Sequence, residues 1–168
     1  MPIPKKDINT NVIQITSNET VEEVLMWLPA DRTARAFCYV VLAVEAGRYI
    51  VVPWIEIEQI AARMRQDVSS MRIAGLDGLP PPVTAIERYG VSIHWAREEC
   101  DRQPGKRLVV VTNGVVVGLL TGEKLDAETL PADPFASIPK RQVLQDIEIG
   151  TGASTATPMP ERPGQQVG

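Results

Sequence analysis

The first apolar segments of the chain predict one short strand followed by one helix. Val12-Ile13-Gln14-Ile15 has the short, β-branched character of a strand. Thr20 stands where it can cap a helix, Glu23 follows three residues later, and apolar residues then recur at helical spacing. We therefore expect a helix from about 20 to 29.

The next apolar run is nearly continuous and predicts a buried β-hairpin. Residues 36–44 are rich in β-branched and aromatic side chains, which favours a strand buried on both faces. A turn at Ala46-Gly47 leads into a second strand over 48–52. Pro53 then suits the first position of a helix, because the N–H that proline lacks has no partner there. An amphipathic helix is expected behind it.

A break in periodicity from Arg65 to Pro82, with three consecutive prolines at its end, predicts an extended connection. The same order of elements then recurs. Asn113-Gly114 lies between two Val/Leu runs and indicates a type I′ hairpin turn, since both types tolerate positive φ. The predicted elements of this half are a strand at 83–86, a helix at 91–102, and strands at 107–111 and 115–120.

The recurrence predicts an internal repeat. The turn glycines Gly47 and Gly114 are 67 positions apart, and the helix-opening valines Val21 and Val91 are 70 apart. Each copy reads strand, helix, strand, turn, strand, helix, which predicts an α/β fold of the α+β type built from two β-α-β-β-α repeats. The predicted divisions are a flexible leader 1–11, motif 1 at 12–67, a linker 68–82, motif 2 at 83–126, an extension 127–149 and a disordered tail 150–168.

Composition and charge narrow the function classes. The chain has 44% apolar and 23% charged residues, as ordinary globular proteins do. A net charge of −4 without a Lys/Arg cluster disfavours a nucleic-acid surface. No apolar run approaches the roughly 18 residues that span a bilayer, and Cys38 and Cys100 are too scattered for a secreted disulfide scaffold. We expect a cytoplasmic protein with no membrane or nucleic-acid partner.

One segment of the second copy resembles a known family. The sequence from Asn113 to Leu125, Asn-Gly-Val-Val-Val-Gly-Leu-Leu-Thr-Gly-Glu-Lys-Leu, is similar to the closing signature of a CBS (cystathionine-β-synthase) domain, in which Thr-x-x-Asp opens a helix. The first copy keeps the turn and strand but has Pro53 where the family has Thr, with Glu56 near the acidic position. The resemblance implies a tandem, degenerate CBS pair over residues 12 to 126, with the two repeats packed as a pseudo-two-fold pair.

The resemblance also implies where a ligand would bind. CBS pairs often hold adenosine-containing ligands in the clefts between motifs, with the Thr hydroxyl and the Asp carboxylate on the ribose. Here Thr121 matches, but Lys124 replaces the aspartate, and an ammonium cannot accept from a diol. Lys124 could meet a phosphate instead, and Thr121 could equally cap a helix. The candidate ligand-binding residues are Gly118, Thr121, Lys124, Thr84 and Glu56.

Other candidate chemistry is sparse. His94 is the only histidine, and it falls on a predicted helix surface with Glu98 one turn later. One histidine and two separated cysteines do not make a zinc site, and no phosphate-binding glycine motif is present. The sequence therefore predicts no enzyme, no metal and no resident cofactor.

Two functions remain open. The first is a regulatory CBS pair that senses an adenine nucleotide such as AMP or ATP in the cleft between motifs. The second is a ligand-free scaffold that mediates protein–protein contacts, which the substitutions in the Thr-x-x-Asp pattern favour. A homodimer is expected under either hypothesis, since CBS pairs commonly self-associate, and a further protein partner is expected under the second.

Overall fold

Six strands form one mixed sheet and follow one another in chain order. β1 and β2 are parallel and β2 and β3 antiparallel; β4 and β5 are again parallel and β5 and β6 antiparallel, while β3 and β4 join the two halves as an antiparallel pair. The mixed α+β fold class predicted from sequence is confirmed. The strands are β1 (Val12–Ile15), β2 (Tyr39–Glu45), β3 (Arg48–Pro53), β4 (Val83–Glu87), β5 (Arg107–Thr112) and β6 (Val115–Thr121).

The structure is a computed structural model that describes residues 2–126, 128 and 130–136. These residues all belong to one compact unit, Met1–Ile138. Most of the extension predicted at 127–149 and all of the disordered tail predicted from residue 150 lie outside the described residues. Within those ranges no helix is both long enough and apolar enough to cross a membrane.

The helices begin where side chains can cap them. Thr20 accepts from the backbone N–H of Glu23, whose carboxylate accepts in return from the Thr20 backbone, so the predicted capping box is present. The side chain of Ser92 accepts from the backbone N–H of Trp95 and so caps the helix of the second half. Pro53 is the residue before its helix, one position earlier than expected. The helices are α1 (Val21–Trp27), α2 (Arg32–Ala36), α3 (Trp54–Met64) and α4 (Ile93–Arg102).

Three apolar clusters explain why the central strands read as continuous hydrophobic runs. Alternate residues of β2 point to opposite sides of the sheet: Val40 and Leu42 pack with α1 and α3, whereas Tyr39 and Val41 pack with side chains of β3, β5 and β6. β5 divides in the same way between the α4 side and this shared cluster. A strand between two such layers is buried on both faces, and β2 is so over residues 39–42. The prediction of a buried strand over 36–44 is too long at both ends, because Ala36 belongs to α2 and Ala43 and Val44 are exposed.

The N-terminal segment differs from the expected loose leader. Ile3 is fully buried in the cluster under α4, and its backbone N–H donates to the carbonyl of Arg88. Asn9 forms a two-way backbone bridge with Leu119 of β6. Burial of the large apolar side chain of Ile3 in this cluster helps to offset the cost of ordering residues 2–11.

The CBS pattern implies a helix that opens at Thr121, and the residues described directly after β6 do not form one. The hairpin turn is as predicted, with positive φ at Asn113 and Gly114. After Thr121, however, residues 122–126 take no helical conformation. The backbone N–H of Gly122 donates to the Lys106 carbonyl, and Arg107 donates to the Glu123 side chain. These two residues are therefore bound to the start of β5 instead of starting a helix.

Candidate functional site

Arg107, the first residue of β5, lies at the contact between the two halves of the sheet. Its side chain is buried, and it donates to the backbone carbonyl of Val51 at 2.8 Å and to a carboxylate oxygen of Glu56 at 2.5 Å, both in the first half. Two further hydrogen bonds reach the carboxylate of Glu123, just after β6, and one of them, from Nη2, measures 2.9 Å. The guanidinium carbon is 5.8 Å from the ring centre of Tyr39.

Burial and ion pairing have opposite effects on the pKa of Arg107. Burial alone would lower the pKa of Arg107, but the hydrogen bonds and charges of Glu123 and Glu56 outweigh it and raise that pKa above its ordinary value. The pKa of Tyr39 is raised to about 12, first by burial and then by the nearby Glu123. Arg107 therefore stays charged, and it serves as a fixed cation that holds one carboxylate from each half.

Glu56, a candidate ligand residue, is therefore committed to an internal ion pair. It sits in the first turn of α3, where a carboxylate is favoured by the helix dipole, and its side chain is 33% exposed. Sequence reasoning did not pair Arg107 with Glu56 and did not single out Glu123. No local signal pairs Arg107 with Glu56, because 51 positions separate them.

The other candidates do not converge on one cleft. Thr121 is half-buried at the end of β6 and lines a cavity of about 110 Å³ together with Arg97, Cys100 and Asp101. Arg97 at its edge already pairs with Asp7 at 2.7 Å. Specific small-molecule pockets usually measure about 300–1,000 Å³. The cavity beside Thr121 is well below that range.

Gly118, Lys124 and Thr84 occupy three different settings. Gly118 is buried, and a Cβ atom there would meet the carbonyl oxygen of Asn9 at 2.6 Å, so glycine permits the N-terminal segment to approach β6. Lys124 is exposed, and no described residue forms an ion pair with it. Thr84 is exposed on β4, where its backbone N–H donates to Gln103. Among the described residues, no hydrogen bond or ion pair joins any of the three to Glu56, whose partner is Arg107.

In the described residues, the only histidine and the two cysteines form no hydrogen bond with one another. His94 is exposed on α4 and its Nε2 is 2.8 Å from Glu98, the neighbour expected one turn on. Cys38 and Cys100 are buried, and burial raises the pKa of each thiol to about 11, which keeps both protonated near neutral pH. Among the described residues no group of three His, Cys, Asp or Glu side chains is arranged to hold a metal ion.

Comparison with known proteins gives one solved structure of interest. No protein-family model matches the chain, and no curated protein is significantly similar to it. The cytosolic domain of the Mg2+ channel MgtE in complex with ATP is similar with 23% identity and a TM-score of 0.44, over 71% of this chain and 46% of that one. The chain thus spans less than half of that structure. Similarity at this level does not establish a shared function.

Proposed function

We propose that this chain is a non-catalytic interaction module, built on the CBS-pair arrangement that its sequence resembles, and that it assembles through protein contacts rather than by sensing an adenine nucleotide. The observation that carries the proposal is the position of Arg107 between Glu56 and Glu123. The acidic side chain that the resemblance assigns to a ribose is already bound to a cation of the same chain.

Two features of the second half support the same conclusion. The residue at the acidic position there is Lys124, which cannot accept from ribose hydroxyls. The absence of a helix over 122–126 removes the oriented backbone N–H groups that would face a phosphate at a helix start. Both halves therefore lack a free ribose clamp at the positions named by the resemblance.

Exposed aromatic residues supply a surface for protein contacts. Tyr89 and Trp95 are 54% and 42% exposed, and they stand just before and within the first turn of α4. Aromatic side chains are enriched at protein interfaces because they bury much area for little lost entropy. We assign this segment, 89–95, to self-association of the chain as a homodimer.

Light scattering coupled to size-exclusion chromatography tests the homodimer. The full chain should elute with twice its mass of 18.4 kDa. Trp95→Ser should give the mass of one chain at the same concentration, because it removes the largest exposed aromatic of the segment. Trp27→Ser is the matched control, since Trp27 is 48% exposed at the end of a different helix. A single-chain mass for the unmodified protein at every concentration would contradict self-association.

The nucleotide-sensing alternative has its own test. Calorimetric titration with AMP, ADP, ATP and S-adenosylmethionine at millimolar concentration should give no saturable heat, because Glu56 is paired and the cavity at Thr121 is small. Saturable binding of any of the four, weakened by Thr121→Ala, would replace the proposed function with nucleotide sensing.

A further inference from the structure

The chain beyond β6 returns to the first half and meets it through two side chains. The carboxylate of Asp133 accepts a hydrogen bond from Arg35 and lies 3.7 Å from Nε of Arg32. Two residues later the ring of Phe135, which is buried, packs on Trp54 with 5.5 Å between ring centres. The two contact residues are therefore an acidic and an aromatic residue with one proline between them.

The surface that receives them carries excess positive charge. Arg32 and Arg35, from α2, face a single carboxylate of the first half, the fully buried Glu58 of α3. Glu58 is 3.1 Å from Arg32 and 4.0 Å from Arg35. Before Asp133 is counted, the site therefore has at least one net positive charge. A cation that is almost fully buried is costly unless an anion pairs with it, so this site requires a carboxylate from elsewhere.

Asp133 and Phe135 leave part of this site unsatisfied. Four buried polar atoms here have no hydrogen-bond partner among the described residues: Nε of Arg32, Nε of Arg35, Nε1 of Trp54 and Oε2 of Glu58. Three of them are donors. Each unpaired buried polar group is unfavourable, because it has lost its hydrogen bonds to water without gaining a partner in the protein. A segment that offers one more acceptor beside its carboxylate would be bound more tightly than the segment of this chain.

Among the described residues, no backbone hydrogen bond joins the segment 130–136 to the rest of the protein. Its described backbone hydrogen bonds are internal: the N–H of Phe135 donates to the Asp133 carboxylate at 2.9 Å, and the N–H of Ala136 donates to the Asp133 carbonyl at 3.4 Å. Pro134 restricts the backbone between the two contact residues. Recognition therefore depends on a short local pattern, which another polypeptide can supply.

We propose that Arg32, Arg35 and Trp54 form a peptide-binding site for an acidic residue followed two positions later by an aromatic one, and that the segment 130–136 occupies this site as an exchangeable competitor. The ligand is a segment of a partner protein with the same acidic-x-aromatic pattern. This inference rests on the proposed interaction role and names the chemistry of a partner. Light scattering reports self-association and peptide titration reports this site, so either can fail without the other.

A titration with a labelled peptide tests the site. The probe is a fluorescein-labelled heptapeptide, Leu-Pro-Ala-Asp-Pro-Phe-Ala, with the sequence of residues 130–136. The full chain with Asp133→Asn and Phe135→Ala together should bind it at least about tenfold more tightly than the unmodified chain, because a tethered competitor acts at an effective concentration near millimolar. Glu128→Gln, an exposed change in the same stretch, should bind like the unmodified chain. Peptides that carry either Asp133→Asn or Phe135→Ala should lose at least about tenfold in affinity.

Three results would overturn the proposal: equal affinity of both proteins for the peptide, no binding to the double variant, or unchanged binding of the altered peptides. Circular dichroism and a cooperative thermal transition establish that the double variant is folded. If it does not fold, hydrogen exchange of the unmodified chain decides. Excess heptapeptide should then speed the exchange of the Phe135 and Ala136 amides, and unchanged exchange would equally overturn the proposal.

Discussion

At the scale of single residues, the described part of the chain buries three charged side chains, Arg35, Glu58 and Arg107, each beside groups of opposite charge. Glu58 shows how closely burial and pairing compete. Desolvation raises its pKa above the ordinary value of 4.5 even though Arg32 and Arg35 act in the opposite direction. The folded protein therefore binds a proton at Glu58 more readily than the unfolded chain does.

This pKa shift predicts a pH dependence with a definite sign. A group with a raised folded-state pKa stabilises the fold at low pH, and this stabilisation is lost as pH rises through the raised value. The free energy of unfolding of the unmodified chain, relative to Glu58→Gln, should therefore fall as pH increases from 4.5. Urea denaturation at intervals of pH measures the difference. A flat or rising difference for Glu58→Gln would refute the assignment.

At the scale of elements, the approach of the N-terminal segment to β6 depends on one glycine. In Gly118→Ala the new methyl group would collide with the side chain of Ile8 and the carbonyl of Asn9. Overpacking of this kind costs about 1–3 kcal/mol. The free energy of unfolding of the variant, measured by urea denaturation, should therefore be lower by that amount. Gly75→Ala is the control: no atom lies within 4 Å of its Cβ position, and its effect should stay within about 0.5 kcal/mol. Equal effects of the two changes would show that the approach to β6 is not tight.

The sequence predicts most of the elements because their signals are local. The capping box at Thr20, the apolar runs of β2 and β5, and the Asn113-Gly114 turn depend on residues close in the chain. The helix α2 escapes prediction, since five residues are too few to show a helical period, although Asp31 accepts from the N–H of Ala34 as an N-cap.

The site residues are less predictable because their partners are distant in sequence. Arg35 and Asp133 are separated by 98 positions and Arg107 and Glu56 by 51, so no spacing rule links them. Burial of Ile3 likewise depends on a cluster formed by α4 and the second half of the sheet. A resemblance in one closing motif gave candidate positions, but which of them are free to bind a ligand is decided by tertiary contacts.

At the scale of the whole molecule, the two halves of the sheet are joined by three kinds of contact. β3 and β4 pair over only two residue positions, Arg48 with Thr84 and Tyr49 with Val83. The shared apolar cluster of β2, β3, β5 and β6 supplies non-directional attraction. Arg107 adds the directional contact, since its hydrogen bonds reach a backbone carbonyl and a carboxylate of the first half.

Arg107→Met should therefore destabilise the molecule far more than the loss of an ordinary surface ion pair. The change keeps a long apolar side chain but leaves Glu56 and Glu123 without their shared cation, and removing one member of a buried pair costs about 3–5 kcal/mol. Arg102→Met is the matched control, because Arg102 is 63% exposed and pairs with Glu99 at 2.9 Å, a contact worth about 0–1 kcal/mol. Urea denaturation at neutral pH compares the two. If Arg107→Met costs no more than Arg102→Met, the halves are held by the apolar cluster and the short β3–β4 pairing alone.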